Sequence, residues 1–306
     1  MQDFRLVLVD DASEDDSVQI ARAVAGDRIE IVQNETAIGI GANWNRCAEL
    51  VDTPFFCLAH QDDTYKPDFL LRMLDVLEAD KNAGIVHCRA QAICADGLAM
   101  KSAAERYKEH FWQVTDSQDL ATHYARLWSG NYVCCPSVIY RTEAFKQCGL
   151  FAPHLRFALD WDYWFRMLRE GFGIACVDDE LIQYRRHDDA ATYTASLGHW
   201  RFAEELEVLH QARDAGIAAG LLPADSVTSP ALRNILLHEA LTDLQRGNRQ
   251  AMQHKLAFVR EHGAELWNDP YVRVFRTLTR FGPPGRWLLQ MGRGLALRYG
   301  LGGGAG

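Results

Sequence analysis

No stretch of this 306-residue chain comes near the roughly 20 consecutive apolar residues that a membrane span requires. No basic-then-apolar leader opens it either, so a soluble, cytoplasmic protein is expected. The eight cysteines include no Cys-x-x-Cys pair, and the vicinal Cys134-Cys135 is a poor disulfide candidate. Reduced thiols follow as the expectation. Net positive charge is also missing: the formal charge is −9, which argues against a nucleic-acid binder working by bulk electrostatics. Acid, in turn, is absent from residues 270–306, which hold six arginines (Arg273, Arg276, Arg280, Arg286, Arg293, Arg298). That segment is therefore +6 and the remainder −15. The 48% apolar content is ample for a core in one large or two modest domains.

What is present starts with two aspartate pairs, each closing an apolar run. Leu6-Val7-Leu8-Val9 ends in Asp10-Asp11, and Pro54-Phe55-Phe56-Cys57-Leu58-Ala59 runs into His60-Gln61-Asp62-Asp63. Short apolar runs of this kind read as buried strands of a parallel sheet. In open α/β sheets the ligand crevice lies just beyond the carboxyl ends of the strands. Four carboxylates gathered there repel unless something positive sits between them. A divalent cation carrying a phosphate-bearing ligand is the natural candidate.

Periodicity predicts strands at 4–9, 29–32, 55–59, 83–94 and 133–140, with further strands at 174–177 and 181–184 around an Asp178-Asp179-Glu180 turn. A capping box at Ser13-Glu14-Asp15-Asp16 predicts a helix over 15–25, and Pro67 opens another bearing Leu70, Leu71, Leu74 and Leu77. Helices are also expected through Trp44 to Leu50, at 143–148 and at 161–169, the last with Trp161, Trp164, Phe165 and Leu168 on one face. Residues 100–128 read as irregular structure with short helices, and 199–262 as helical throughout.

Five segments then carry a resemblance. Leu8-Val9-Asp10-Asp11-Ala12-Ser13, the stretch from Asn34 through Gly39-Ile40-Gly41-Ala42-Asn43-Trp44-Asn45, and Ala59-His60-Gln61-Asp62-Asp63-Thr64-Tyr65-Lys66-Pro67-Asp68 come first. Phe157-Ala158-Leu159-Asp160-Trp161-Asp162-Tyr163-Trp164-Phe165-Arg166 and Tyr184-Arg185-Arg186-His187 follow in the same order. Together they resemble the inverting family 2 glycosyltransferases of GT-A fold. The fold implied is an α/β, Rossmann-like mixed and mainly parallel sheet flanked by helices, with a C-terminal helical region. The resemblance covers roughly residues 3–190, and it implies a strand and helix ahead of the strand that opens this chain. Residues 1–195 are expected to form a GT-A-like domain truncated in that sense, 196–265 a helical region, and 266–306 a basic amphipathic tail with a Gly-rich end.

The resemblance implies a role for each motif. Asp10 and Asp11 would sit beside the nucleoside, Asp63 would bind Mg²⁺ or Mn²⁺ with Asp62 supporting, and Asp160 would be the general base, with Asp162 the alternative. Arg185 and Arg186 would meet the diphosphate, and His187 would complete the metal's ligand set. His60 stands where the family often has Asp. The residues alone leave blander readings open: Asp11 as a helix cap with Ser13 and Asp16, Asp62 and Asp63 as turn residues, and Asp160 as an N-cap. The activity implied is transfer of a sugar from a UDP- or dTDP-linked donor to a glycan or lipid-linked acceptor, as in polysaccharide biosynthesis. A non-catalytic nucleotide- or partner-binding module is the rival. A sugar nucleotidyltransferase would need a Gly-rich basic loop that is absent here. The tail, with Tyr271, Val272, Phe275, Leu278 and Phe281 interleaved among arginines, could lie on an anionic membrane at its inner face or pack on the acidic body.

Overall fold

The computed structural model describes residues 4–100, 109, 112–186 and 199–281. Its first unit is a parallel pair, β1 (Leu6–Asp10) and β2 (Ile29–Gln33), joined by α1 (Ser17–Ala25). A second sheet of five strands follows. It contains β3 (Phe55–Cys57), β4 (Thr64–Tyr65), β5 (Ala83–Ile93), β6 (Ile139–Arg141) and β7 (Gly173–Arg185), in the order β3-β6-β5-β7-β4. The long β5–β7 ladder is parallel, while the short β3–β6, β5–β6 and β4–β7 pairs are antiparallel. The fold is thus mixed, with most of its ladder parallel. Among the described residues β1 pairs with β2 alone, and Leu6, Ile20 and Val24 remain exposed around this pair.

Helices α2 (Ile40–Glu49), α3 (Phe69–Ala79), α4 (Leu120–Ser129), α5 (Thr142–Cys148) and α6 (Leu159–Arg169) surround the sheets. The α3 helix packs on β5 and β7 from one side, while α4 and α6 meet β7 from the other. This double cover explains why β5 is buried along its first six residues, as a parallel central strand should be. Beyond residue 199 come α7 (His199–Ala218), α8 (Pro230–Gln245), α9 (Arg249–His262), α10 (Ala264–Asn268) and α11 (Pro270–Arg280). Their Phe202, Leu206, Leu236 and Val272 share one buried cluster with Tyr124, Leu127 and Trp164 of the α/β part.

The short helices expected within 100–128 include α4, whose cap Asp119 accepts the Thr122 N–H at 3.0 Å and whose C-cap is Gly130. Three local expectations need correction. The Ser13–Asp16 box does not form: α1 begins at Ser17, and Asp16 makes no side-chain cap. The strand expected over 133–140 shortens to Ile139–Arg141, because Pro136 turns Cys135–Ser137 into a 3₁₀ segment. The two late strands are one. The register jumps from Cys88 opposite Val177 to Arg89 opposite Glu180, so Asp178 and Asp179 bulge outward. Their carboxylates take the Arg89 and Arg72 guanidinium groups, and the strand continues instead of turning. All eight cysteines are free.

Candidate active site

Three strand ends converge on one acidic corner. After β3 the chain turns through His60 to Asp63, with the Asp63 N–H donating to the His60 carbonyl at 3.4 Å, and then enters β4. The end of β7 closes the corner. The backbone N–H of Arg185 donates to Asp63 Oδ1 at 2.8 Å, while its Nε reaches the Asp62 carbonyl at 2.9 Å. Arg185 Nη1 also donates to the carbonyls of Cys94 and Ala95, at 3.1 and 2.8 Å, beyond the end of β5. The guanidinium expected to meet a diphosphate clasps three main-chain carbonyls. Its nearness to them is a consequence of the parallel β5–β7 ladder, which brings both carboxyl ends to the same edge.

Asp63 is the most perturbed acid of this corner. Its side chain is fully buried, Oδ2 has no hydrogen-bond partner, and His60 Nδ1 stands 3.9 Å away. Burial pushes its carboxyl up to about 6, against the pull of the Arg185 N–H and the nearby Arg185 and Arg186 charges. Burial also lowers the His60 pKa, with Asp62 opposing it, so the imidazole is neutral near pH 7. His60 Nε2 and Asp63 Oδ2 are both buried without a hydrogen-bond partner, and a cation would satisfy such groups. His60, Asp62 and Asp63 offer ligand atoms within 4.8 Å of one another, which fits a divalent metal. His60 thus joins the set, while His187, the expected ligand, lies outside the described residues. Trp44 of α2 packs on His60 with ring centroids 5.4 Å apart. Arg186 stacks over Tyr184 at 4.8 Å and is close enough to act on the Asp63 charge.

The first aspartate pair is held differently. Asp10 is buried and accepts from the Ser13 N–H and the Gln33 amide, both at 3.3 Å. Asp11 accepts from Asn34 Nδ2 at 2.8 Å, Ile38 N–H at 2.8 Å and Gly39 N–H at 2.9 Å. Burial is the largest single influence on Asp11 and pushes its pKa up. The three donors together win, and the group sits below the usual carboxylate range. The turn that aims it there puts Ala12 at φ 59°, an uncommon conformation for a residue with a Cβ. Asp11 does serve a helix N-terminus, but that of α2 rather than α1. Gly41 in the first turn of α2 lets that helix approach the loop before α6: a Cβ there would stand 3.3 Å from the Leu155 carbonyl oxygen. Asn45 then locks the approach, exchanging two hydrogen bonds of 2.9 Å with the buried Phe151 backbone.

Asp160 is the second residue of α6 and is half-buried. Its Oδ1 accepts the Trp161 N–H at 2.7 Å, and Asn131 Nδ2 approaches Oδ2 at 3.5 Å. Asp162, the alternative, is engaged elsewhere: it holds Arg166 at 2.8 Å, whose other nitrogens grip the Cys148 and Leu150 carbonyls. Beneath Asp160, Trp161 Nε1 donates to the Leu127 carbonyl at 3.0 Å, and Trp164 stacks on Tyr140 at 5.8 Å. Each such aromatic contact adds about 0.5–1.5 kcal/mol beyond the area it buries. The loop entering α6 has no side-chain cap of its own. Glu204, from α7, supplies one, accepting the N–H groups of Arg156, Phe157 and Ala158 at 3.0, 2.8 and 3.3 Å. Neither Asn131 nor Glu204 stands out in the sequence, because each reaches the site across the fold.

Comparison with known proteins bears on the fold and on residues 1–149. The family model described as glycosyl transferase family 2 matches residues 1–149. An uncharacterized glycosyltransferase of Rickettsia typhi is 26% identical over 197 residues, covering 63% of this chain and 58% of that protein. An uncharacterized protein of Mycobacterium tuberculosis is 26% identical over 201 residues, covering 63% and 60% respectively. The chain therefore spans about three fifths of the length of these relatives. Among solved structures, a mannosyltransferase of Pyrobaculum calidifontis, in complex with GDP-Man and Mn²⁺, superposes with a TM-score of 0.54 at 16% identity. That match covers 95% of this chain and 70% of the other. Residues 1–149 match the glycosyl transferase family 2 domain, and the chain carries the GT-A fold.

Proposed function

We propose that this protein transfers a sugar, with inversion, from a nucleoside-diphosphate sugar to a glycan or lipid-linked acceptor. The observation that carries the reading is the buried Asp63 oxygen without a donor, beside His60 and Asp62 at the joint end of β3 and β7. His60, Asp62 and Asp63 would hold Mg²⁺ or Mn²⁺, both of which take carboxylate oxygens. Such an ion supplies Lewis-acid neutralisation of the departing diphosphate. Arg185 and Arg186, at the end of β7 beside Asp63, would meet the diphosphate. Asp10 and Asp11 shape the nucleoside end by fixing the loop ahead of α2.

Asp160 is the base of this reaction. It takes the proton of the acceptor hydroxyl as that oxygen bonds to the anomeric carbon, and the bond from that carbon to the diphosphate breaks on the opposite side. One displacement inverts the centre. A positioned base contributes about 10²–10⁴-fold. Asp160 suits the role better than Asp162, whose carboxylate is committed to Arg166. UDP- or dTDP-linked donors head the candidates, with GDP-linked ones added by the Pyrobaculum relative's complex. No helix among the described residues is long and apolar enough to cross a membrane. Action in the cytoplasm belongs to the same reading.

Calorimetry of UDP, dTDP and GDP binding, with and without Mn²⁺, tests it. Metal-dependent binding lost in Asp63→Ala is the expected result. Asp160→Asn is expected to keep that binding and lose transfer by at least about a hundredfold. Binding without turnover in the unaltered chain, against every donor and acceptor offered, would favour a nucleotide-binding module instead.

A further inference from the structure

The α11 helix has two apolar faces. Val272 and Phe275 are buried against the helical region, where α8 and α10 contact it. The opposite stripe is uncovered: Tyr271, Val274 and Phe281 are 63%, 58% and 66% exposed. With half-buried Leu278 they recur at helical spacing along one side of α11 and its C-cap. Pro270, Arg273, Val274, Thr277 and Leu278 line a shallow groove of about 400 Å³ there.

The flank of that stripe is basic. Arg276 is turned inward, donating to the Trp267 carbonyl at 2.7 Å with its guanidinium 3.3 Å over the Trp267 ring. Arg273 and Arg280 are exposed and form no ion pair among the described residues. No acid occurs from residue 270 to the end of the sequence. The nearest, Asp269, is buried and caps the helix by accepting the Tyr271 and Val272 N–H groups at 2.9 and 3.2 Å. Among the described residues, a chain of net charge −9 thus leaves two arginines without an ion-pair partner beside its exposed apolar stripe.

We propose that α11 is a membrane-docking surface that lies in the interface of an anionic lipid bilayer. The Tyr271, Val274, Leu278 and Phe281 stripe would enter the acyl boundary, and Arg273 and Arg280 would meet headgroup phosphates. Amphipathic helices with arginine beside an aromatic and aliphatic stripe bind in this way. A nucleic acid would meet the arginines but leave the stripe wet, and the rest of this acidic chain would repel it. An acidic protein surface would match the charge but leave the exposed Tyr271, Val274 and Phe281 in water. The inference stands independently of the glycosyl-transfer reading. If both hold, the enzyme works beside its lipid-linked acceptors.

The test is co-sedimentation of the full chain with phosphatidylcholine vesicles, with and without phosphatidylglycerol. Binding is expected only when the anionic lipid is present, and it should weaken with salt. Each arginine near such a surface contributes about 1 kcal/mol, so Arg273→Ala with Arg280→Ala should weaken binding roughly 25-fold. Val274→Ser with Phe281→Ser should abolish it. All four side chains are exposed, so the melting temperature should not move; a variant that loses binding with an unchanged melt supports the docking surface. Absence of binding, equal binding to neutral vesicles, or indifference to both variants would overturn the proposal, the last by assigning the affinity to residues beyond 281. Dimers in solution that dissociate in Val274→Ser/Phe281→Ser would also overturn it, making the face a protein interface. Binding of duplex nucleic acid lost in the arginine variant would do the same.

Discussion

Replacing Glu204 tests how the α6 loop is held. Its carboxylate lies 47 residues from Phe157 in sequence, yet accepts three consecutive backbone N–H groups, those of Arg156, Phe157 and Ala158. These donors lead into a helix whose own N-cap residue, Ala158, offers no side-chain acceptor. Glu204→Ala would leave the Ala158 N–H buried without its partner, since Ala158 is only 1% exposed. Loss of an N-cap costs about 0.5–2 kcal/mol. Hydrogen bonds to a charged group contribute about 1.5–3 kcal/mol each, but three donors sharing one carboxylate do not add in full. A loss of roughly 2–3 kcal/mol follows, or about 4–12 °C in melting temperature for a domain of this size. Glu204→Gln keeps one acceptor oxygen and should lose about half as much. The assay is chemical denaturation with near-ultraviolet circular dichroism as the probe, because Trp161 and Trp164 sit on the helix being held. If Asp160 is the base, turnover should fall in both variants while the donor KM stays put. A change in unfolding free energy below about 0.5 kcal/mol, the range of an ordinary surface substitution, would refute the cap.

Three further outcomes follow from other contacts. Asn45→Leu unpairs both the N–H and the carbonyl of buried Phe151, and should cost about 2–5 kcal/mol by denaturant titration, with Asn45→Asp intermediate. Burial raises Glu205 to about 7, against the Arg201 charge, with nearby Glu239 reinforcing the rise. Its folded value exceeds its unfolded one, so this group's contribution is complete below about pH 4.5 and disappears as pH rises through 7. The unaltered protein should lose on the order of 3 kcal/mol over that window relative to Glu205→Gln, whose profile lacks this component. Parallel melts of the two proteins across that range would show it. Finally, the β1–β2 pair buries only Val9 and Asp10, whereas β5 and β7 carry the central core. Hydrogen exchange should therefore release the β1 and β2 amides well before those of β5.

Much of the site was legible in the sequence because its residues sit at strand ends, which apolar runs locate directly. Asp10, Asp11, Asp62 and Asp63 fall where the run lengths put them, and Asp160 opens a helix announced by its aromatic spacing. Orientation was not legible. Asp11 caps α2 rather than α1 because Ala12 adopts a left-handed backbone conformation, which no residue type there signals. Arg185 and Arg186 are adjacent and chemically alike. They part company because Arg185, the last residue of β7, lies over the carbonyls that close β5. The α4 helix carried ordinary stop and start signals in Asp119 and Gly130. Its interior of Ala, Thr, His and Ser dilutes the apolar period between Leu120, Tyr124, Leu127 and Trp128, and so its bounds were not legible within a stretch read as irregular with short helices. Glu204 could not be paired with residues 156–158 by any spacing rule, since the contact exists only in three dimensions.

The helices beyond residue 199 bear on the placement of Asp160 through those long-range contacts. Glu204 caps the loop before Asp160, and Arg201 lies 4.3 Å over the Phe157 ring, so two turns of α7 grip one short segment. From the other side, Tyr124 of α4 donates to the Ala212 carbonyl at 2.6 Å, and Ser229 at the head of α8 donates to the Trp128 carbonyl at 2.6 Å. Leu127, between them, accepts from Trp161 beside Asp160 at 3.0 Å. Every one of these bonds satisfies a main-chain group or fixes an aromatic that would otherwise be left exposed or unpaired. Their loss together would cost several kcal/mol, a large part of the stability of a typical domain. The helical region is therefore the wall against which α4 and α6 are set. The acidic corner at His60–Asp63 does not draw on it, resting instead on β7 and α2. On the reading proposed above, damage to the helical wall should impair proton transfer at Asp160 before it impairs metal and nucleotide binding, which separates the two halves of the candidate site experimentally.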